Sequence, residues 1–222
     1  DTINWFNNND VEIKIISGDN PLTVSQIAKK VGVKNYDKYI SLEGLSNDEV
    51  YQIASKYTIF GRVSPEQKAI LIRSLKLDGN TVAMTGDGVN DILAMKQANC
   101  SIAIASGSEA ARNASHLVLM DSNFASMPEV VQEGRKVINN IQMSATLFLM
   151  KTIYAILIAL FCLVTWTEDP FKPCHFYLLE FAVIGFPSFF LALQPNTNLV
   201  KGSFIKNVLL KSIPGGISLW FS

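Results

Sequence analysis

The chain has 222 residues, enough for one or two ordinary domains, and its 19 basic and 19 acidic side chains cancel, so a nucleic-acid-binding surface is not expected. Hydrophobic residues make up 49% of it, unevenly: residues 1 to about 140 are mixed, and long apolar runs take over beyond. Cys100, Cys162 and Cys174 form no spaced pair, which speaks against a disulfide framework or a thiolate metal site. No secretory signal and no initiating Met stand at the start, so the chain reads as an internal piece of something longer.

In chain order, Asp1 to Asn9 read as a helix end and a polar turn. Val11-Glu12-Ile13-Lys14-Ile15-Ile16 alternates and then becomes apolar, which predicts a parallel strand. It ends in Ser17-Gly18-Asp19-Asn20. Pro21 then stands first in a helix through Val31, with Val24, Ile27, Ala28 and Val31 at helical spacing and Gly32 as its stop. The Ser17 hydroxyl and the Gly18 N–H, set before a helix N-terminus, suit phosphate oxygens; Asp19 would repel them and is read as positioning the loop. The same residues also fit a plain helix-capping turn. Tyr39-Ile40 and Tyr57-Thr58-Ile59-Phe60 read as strands. Ser46 with Glu49 and Ser64 with Gln67 form capping boxes. The second opens a helix with Pro65 first, Lys68 one turn in, Ile70, Leu71, Leu75 and Leu77 facing the core, and Gly79 at the end. A lysine near a helix N-terminus opposes the helix dipole, so Lys68 needs a reason to be there.

Thr81-Val82-Ala83-Met84 then feeds into Thr85-Gly86-Asp87-Gly88-Val89-Asn90-Asp91, followed by a helix-forming stretch from Ile92 to Lys96. This is the pattern of a buried strand ending in an acidic loop. Asp87 and Asp91 suit a hard cation such as Mg²⁺, and Gly86 and Gly88 are expected to take backbone conformations that a side chain forbids. Ser101 to Ile104 and His116 to Leu119 read as strands, with a short helix started by Ser106-Gly107-Ser108-Glu109 between them. His116 reads as a strand-edge residue rather than a ligand. Repeated strand–helix units predict an α/β domain with a mostly parallel sheet. Ligands in such sheets bind beyond the carboxyl ends of the strands, which brings Ser17-Gly18-Asp19 and Asp87-Gly88 together.

Glu129 to Gln142 is polar and helical. Ser144 to Val164 is nearly all apolar and about the length that spans a bilayer at ~1.5 Å per residue, with Lys151 its one charge. Thr165 to His175 is a polar loop. Phe176 to Leu193 is a second apolar segment carrying Glu180, Gly185 and Pro187, and Val208 begins a third. Arg135, Lys136, Lys201 and Lys206 flank this hairpin, so residues 1–140 and 195–206 are expected on the cytosolic side and 165–175 outside.

The run Thr85 to Asp91 resembles, at every position, the hinge motif of the P-type cation-transporting ATPases, whose phosphorylation domain has the haloacid-dehalogenase-like fold. Arg62-Val63-Ser64-Pro65-Glu66-Gln67-Lys68 keeps the spacing of that family's Arg-x-x-Pro-x-x-Lys. Ser17-Gly18-Asp19 stands where the family has Thr-Gly-Asp, a change that keeps the hydroxyl. Glu133 to Asn140 is similar to the stalk that continues into the family's fifth membrane helix. The resemblance implies the C-terminal part of a phosphorylation domain over 1–127 and a stalk helix over 128–143. Transmembrane helices follow at about 144–164, 176–193 and 208–222, the fifth, the sixth and the start of the seventh. It further implies ATP and Mg²⁺ as cofactors, with the phosphorylated aspartate upstream of Asp1. Catalytic roles fall to Ser17, Asp19, Lys68, Asp87 and Asp91. Ser17, Gly18, Asp19, Arg62, Lys68 and Asn90 would contact nucleotide or phosphate, and Asp87 the Mg²⁺. Such a parent sits in the plasma membrane, with ATP, a transported inorganic cation and the lipid bilayer as partners. A phosphohydrolase of the same fold without transport, and a non-enzymatic membrane scaffold, are the rival readings. The apolar segments count against the first, and the intact Lys68 and Asp87 against the second.

Lys151 and Glu180 are the only charges in the two complete apolar segments; with Thr152 they are the transport-path candidates. Counted from the segment ends at ~1.5 Å per residue, the two differ in depth by roughly 13 Å in a core ~30 Å thick. Separate roles rather than a salt bridge are therefore expected: Glu180 on the ion path, Lys151 in the bundle interior or snorkelling. Aligned by Gly185 and Pro187, Ile184 stands where the familiar calcium pumps have an acidic residue. One divalent cation, Ca²⁺ ahead of Mg²⁺, is expected rather than a two-calcium site.

Overall fold

The computed structural model describes residues 2–167, 177 and 180–221. It divides into two compact units, Asp1–Pro128 and Glu129–Ser222.

The first unit alternates helices and short strands. In chain order these are α1 (Thr2–Asn7), β1 (Ile15–Ile16), α2 (Pro21–Val31), β2 (Tyr39–Ser41), α3 (Asn47–Ile53), β3 (Ile59–Gly61) and α4 (Pro65–Leu77). They continue with β4 (Ala83–Gly86), α5 (Ile92–Gln97), β5 (Cys100–Ile104), α6 (Glu109–Ala114) and β6 (Leu117–Leu119). Among the described residues the strands form two three-stranded sheets in the orders β1-β3-β2 and β4-β5-β6, with every pairing parallel. β1 and β4 are therefore both edge strands, each with one row of backbone groups outside the ladder.

Local chemistry explains the helix ends. Asn20 caps α2 by accepting the Leu22 N–H at 2.9 Å, and Gly32 closes it in the left-handed region at φ 85°. Both capping boxes form: Ser46 with Glu49 at α3, and Ser64 with Gln67 at α4. Strand periodicity then sets the layers. Ile59 and Phe60, neighbours on β3 and both fully buried, point to opposite faces. Phe60 packs with Leu42, Val50, Leu71 and Leu75 under α3 and α4. Ile59 packs with Val24, Ala28 and Val33 under α2. Ile72 of α4 joins a third cluster with Met84, Met95 and Ala103 around the second sheet. One helix thus serves both sheets, and it is the helix that carries Lys68.

Three core expectations fail. Ile27 and Val31 are more than half exposed, because α2 covers only the β3 face with Val24 and Ala28. Leu77 is 67% exposed, since α4 ends there and Leu75 is its last core contact. Residues 11–14 are not strand; β1 has a single partner, β3, which begins opposite Ile15.

In the second unit, the polar stretch and the first apolar segment form one continuous helix, α7 (Met127–Thr165). Among the described residues it is the one helix long and apolar enough to cross a membrane. The expected polar loop from 168 onward and the start of the second apolar segment, apart from Tyr177, lie outside the described residues. The segment continues as a π-helical turn (Glu180–Gly185) and then α8 (Phe186–Ala192). Pro187 lacks the N–H that a regular α-turn needs there. α9 (Phe204–Phe221) follows.

The expectation of separated charges is overturned. The Lys151 Nζ lies 2.8 Å from the Glu180 Oε1. The register of the hairpin explains it. The Asn140 side chain donates to the carbonyls of Ala192 at 2.9 Å and Gln194 at 3.1 Å, so residue 140, not 144, is level with the end of α8. That shift of about four residues removes ~6 Å of the estimated separation. Counted from those contacts, Lys151 stands 11 residues along α7 and Glu180 12 residues before Ala192, which brings the two nearly level.

Gly61 tests how the end of β3 and the start of α2 are fitted together. A Cβ there would lie 2.5 Å from the Pro21 ring and its backbone nitrogen, atoms that cannot move aside. Gly61→Ala should cost about 2–4 kcal/mol in urea unfolding of the chain, as rigid overpacking does; a loss under about 0.5 kcal/mol would show that the two segments are not in contact in solution.

Candidate active site

The site is assembled at the carboxyl ends of β1 and β4. A cleft of ≈ 270 Å³ there is lined by Ser17, Gly18, Lys68, Thr85, Gly86, Asp87 and Asp91 among others. A larger hollow of ≈ 420 Å³, lined by Asp10, Glu12, Lys34 and Thr58, holds none of these residues; its lining includes the segments leading into β1 and β3.

Ser17 follows β1 directly and is tied down through its main chain: its N–H donates to Phe60 O at 2.9 Å, and its carbonyl accepts from Val63 N at 3.1 Å. Its hydroxyl accepts from the Asp19 N–H at 3.1 Å and lies 3.4 Å from the Asp19 carboxylate. Asp19 thus orients Ser17 and stands outside the cleft lining. Arg62 holds the same loop from the β3 side, donating its N–H to Asp19 O at 2.9 Å. It does so from the left-handed region at φ 52°, where a non-glycine residue costs roughly 1–2 kcal/mol. Its side chain is exposed and outside the cleft lining, as is Asn90.

Lys68 stands one turn into α4 and donates to Asp91 Oδ1 at 2.7 Å, both side chains being less than 15% exposed. This is the reason for a lysine at that helix end: a fixed carboxylate opposite it offsets the unfavourable dipole. Asp91 Oδ2 also accepts from the Gly88 N–H at 3.4 Å. Asp91 is consequently engaged within the protein, whereas the Asp87 carboxylate is exposed at the cleft. Of the two aspartates expected to suit a hard cation, Asp87 has the exposed carboxylate, while Asp91 is paired with Lys68. A single carboxylate suits Mg²⁺, which keeps several waters and takes its other ligands from phosphate oxygens.

The glycines act differently from the expectation. Neither Gly86 nor Gly88 has positive φ. Gly86 supplies space: a Cβ there would fall 2.6 Å from the Asp91 Cβ. Gly107 is a residue that sequence reasoning missed. A Cβ on it would lie 2.7 Å from the Asp87 carbonyl oxygen, and the adjacent Ser108 N–H donates to that same oxygen at 2.7 Å. The Gly107-Ser108 pair therefore fixes the backbone of Asp87. Its sequence signal is a glycine directly before the N-cap serine of α6.

Among the membrane-side candidates, Lys151 and Glu180 are brought together, while the exposed Thr152 gives its hydroxyl to Phe148 O at 3.0 Å on its own helix. Asp91→Ala would leave the Lys68 ammonium enclosed without a partner. It should lower unfolding stability by about 2–4 kcal/mol, against less than about 0.5 kcal/mol for the exposed Asp87→Ala; equal losses in urea titrations would refute the division of labour.

Residues 1–99 match the haloacid dehalogenase-like hydrolase family. Over its whole length the chain is 42% identical to a Streptococcus pneumoniae protein named a probable cation-transporting ATPase, of which the match covers 30%. It is 39% identical over 98% of its length to a calcium-transporting ATPase of Mycobacterium tuberculosis, covering 28% of that protein. The chain thus spans less than a third of the length of the curated relatives it matches. In fold it is similar to a zinc-transporting PIB-type ATPase in the E2.Pi state, with a TM-score of 0.57 and 19% identity over 99% of this chain and 27% of that one. Sequence along the full chain and a haloacid-dehalogenase-like fold followed by a long apolar helix together place it among the P-type cation-transporting ATPases.

Proposed function

We propose that this chain is the second half of the phosphorylation domain (1–127), the stalk (128–143) and the following transmembrane helices (144–222) of an ATP-driven cation pump that cycles through an aspartyl phosphate. The observation that carries this reading is that Lys68 and Asp87, of opposite charge, open on one cleft between the carboxyl ends of two strands whose outer edges are unpaired among the described residues. A further parallel strand fits that arrangement, and its carboxyl end would bring an acceptor aspartate to the same cleft. The acceptor is taken to lie outside these residues.

In that complex the Ser17 hydroxyl and the Gly18 N–H bind phosphoryl oxygens, and Lys68, held by Asp91, faces the charge that develops as the phosphoryl group moves. Asp87 would hold Mg²⁺, which supplies charge neutralisation and orientation. Asp19 and the Gly107-Ser108 pair keep Ser17 and Asp87 in place; Arg62 and Asn90 are proposed to reach the nucleotide from the rim. α7 anchors the protein in the plasma membrane, with residues 1–140 on the cytosolic side. A divalent cation, Ca²⁺ ahead of Mg²⁺, is proposed as cargo: Glu180 offers a hard carboxylate, and a relative of 39% identity is named a calcium transporter.

Three outcomes test this. The 222-residue chain alone should form no hydroxylamine-sensitive phosphoenzyme from ATP, because the nucleophile is supplied from elsewhere; a covalent phosphoenzyme on the purified chain would sink the idea. In the whole protein, Asp87→Asn should lower Mg²⁺-dependent phosphorylation by about a hundredfold or more. Lys68→Ala should reduce turnover more than nucleotide affinity. Wild-type phosphoenzyme levels in Asp87→Asn at low Mg²⁺ would remove Asp87 from the site.

A further inference from the structure

We propose that Arg112 is a positioning residue for Asp87, acting through the loop of residues 105–108 that lies against it. This rests on the reading of Asp87 as the Mg²⁺ ligand and adds a side chain that lies outside the cleft and outside its motifs.

The loop leaves β5 after Ile104 and ends at Ser108, the N-cap of α6. It meets Asp87 through main chain alone. The Ser108 N–H donates to the Asp87 carbonyl at 2.7 Å, and a Cβ on Gly107 would stand 3.0 Å from the Asp87 Cα. Where this segment sits therefore decides where the Asp87 backbone sits.

The donor side of the loop is bonded residue by residue. Ala105 N–H donates to Leu119 O at 3.0 Å, Ser106 N–H to the Ser122 hydroxyl at 3.0 Å, and Gly107 N–H to Ile104 O at 2.9 Å. The acceptor side is gathered by one residue. Arg112 Nη1 donates to Ala105 O at 2.6 Å and to Gly107 O at 3.0 Å. Arg112 stands one turn beyond Ser108, and Ser108 caps that turn by accepting the Ala111 N–H at 3.2 Å. The partly buried guanidinium thus reaches back over the start of its own helix and ties two carbonyls of the loop to each other.

The Gly107 carbonyl and the Ser108 N–H belong to the same peptide unit. That unit is planar, with its C=O and N–H pointing in opposite directions. Holding the oxygen end with a cation aims the N–H end at the Asp87 carbonyl. A guanidinium gives charge-assisted bonds from a rigid plane, so the peptide is held more firmly than a neutral donor would hold it. Mg²⁺ demands near-ideal octahedral geometry at short distances, and a small displacement of its carboxylate ligand weakens it. Arg112 therefore acts on Mg²⁺ affinity without touching the ion, the nucleotide or the carboxylate.

The test titrates Mg²⁺ into the whole pump with beryllium fluoride as a phosphoryl mimic and reads the Mg²⁺ concentration at half the rise in unfolding temperature. Arg112→Met keeps the stem and removes the donors, so this midpoint should rise about tenfold. The same shift should appear in phosphoenzyme formation from ATP, with the maximal level regained at saturating Mg²⁺. Arg112→Lys supplies a donor for one carbonyl and should fall between, about threefold above wild type. A merely structural arginine gives another pattern: a lower unfolding temperature without Mg²⁺ and an unchanged midpoint in both variants. That result would overturn the proposal. Asp87→Asn checks the underlying reading. A wild-type midpoint there would remove Asp87 from the Mg²⁺ site and the proposal with it; a raised midpoint there beside an unmoved one in the Arg112 variants would remove the proposal alone.

Discussion

The ion pair between Lys68 and Asp91 is the constraint on which the first unit's site depends. It links the N-terminus of α4 to the turn after β4, and α4 is the helix that packs on both sheets. Leu71 and Leu75 commit α4 to the first cluster, while Ile72, one position on from Leu71, commits it to the second. A shift of α4 by even a fraction of a turn would separate Lys68 from Asp91 and unpack two clusters at once. Electrostatic positioning and hydrophobic packing are therefore not separable contributions here. The cleft keeps its shape because the same helix that closes the core also delivers the charge.

Much of the first unit was legible in the sequence because its signals are local. Capping boxes, Pro at the first helical position and left-handed glycines depend on residues within one turn, and Ser46, Ser64, Pro21 and Gly32 did what their neighbours dictate. The convergence of Ser17 and Asp87 was legible too, since parallel sheets gather their strand ends on one side. What escaped were close approaches between segments far apart in sequence. Gly86 and Gly107 look like turn glycines until Asp91 and the Asp87 carbonyl are seen against them. Nothing in the linear order announces that Lys68, 23 residues earlier, reaches Asp91.

The second unit shows the same limit more sharply. Depth counted from hydropathy boundaries put Lys151 and Glu180 far apart, because an apolar run marks where the chain can be buried and not where two helices meet. Register is set by side chains that hydropathy ignores. Asn140 is nearly buried, and its amide holds the end of α8; Gly215 and Gly216 of α9 admit Met150 and Ile153. Each is a small polar or small apolar group at a place where helix backbones come close, and such groups, unlike bulk hydrophobicity, specify a register.

Asn139 and Asn140 grip main-chain carbonyls of Ala192, Gln194, Asn196 and Asn198. A clamp of this kind reads the path of the backbone and is indifferent to side-chain identity at Ala192, Gln194 and Asn198. Over evolutionary time those three positions are free to drift, whereas Asn140 donates to two carbonyls from one buried amide, and its isostere Asp has no N–H to replace it. The segment after α8 can thus diversify in sequence while the hairpin keeps its register.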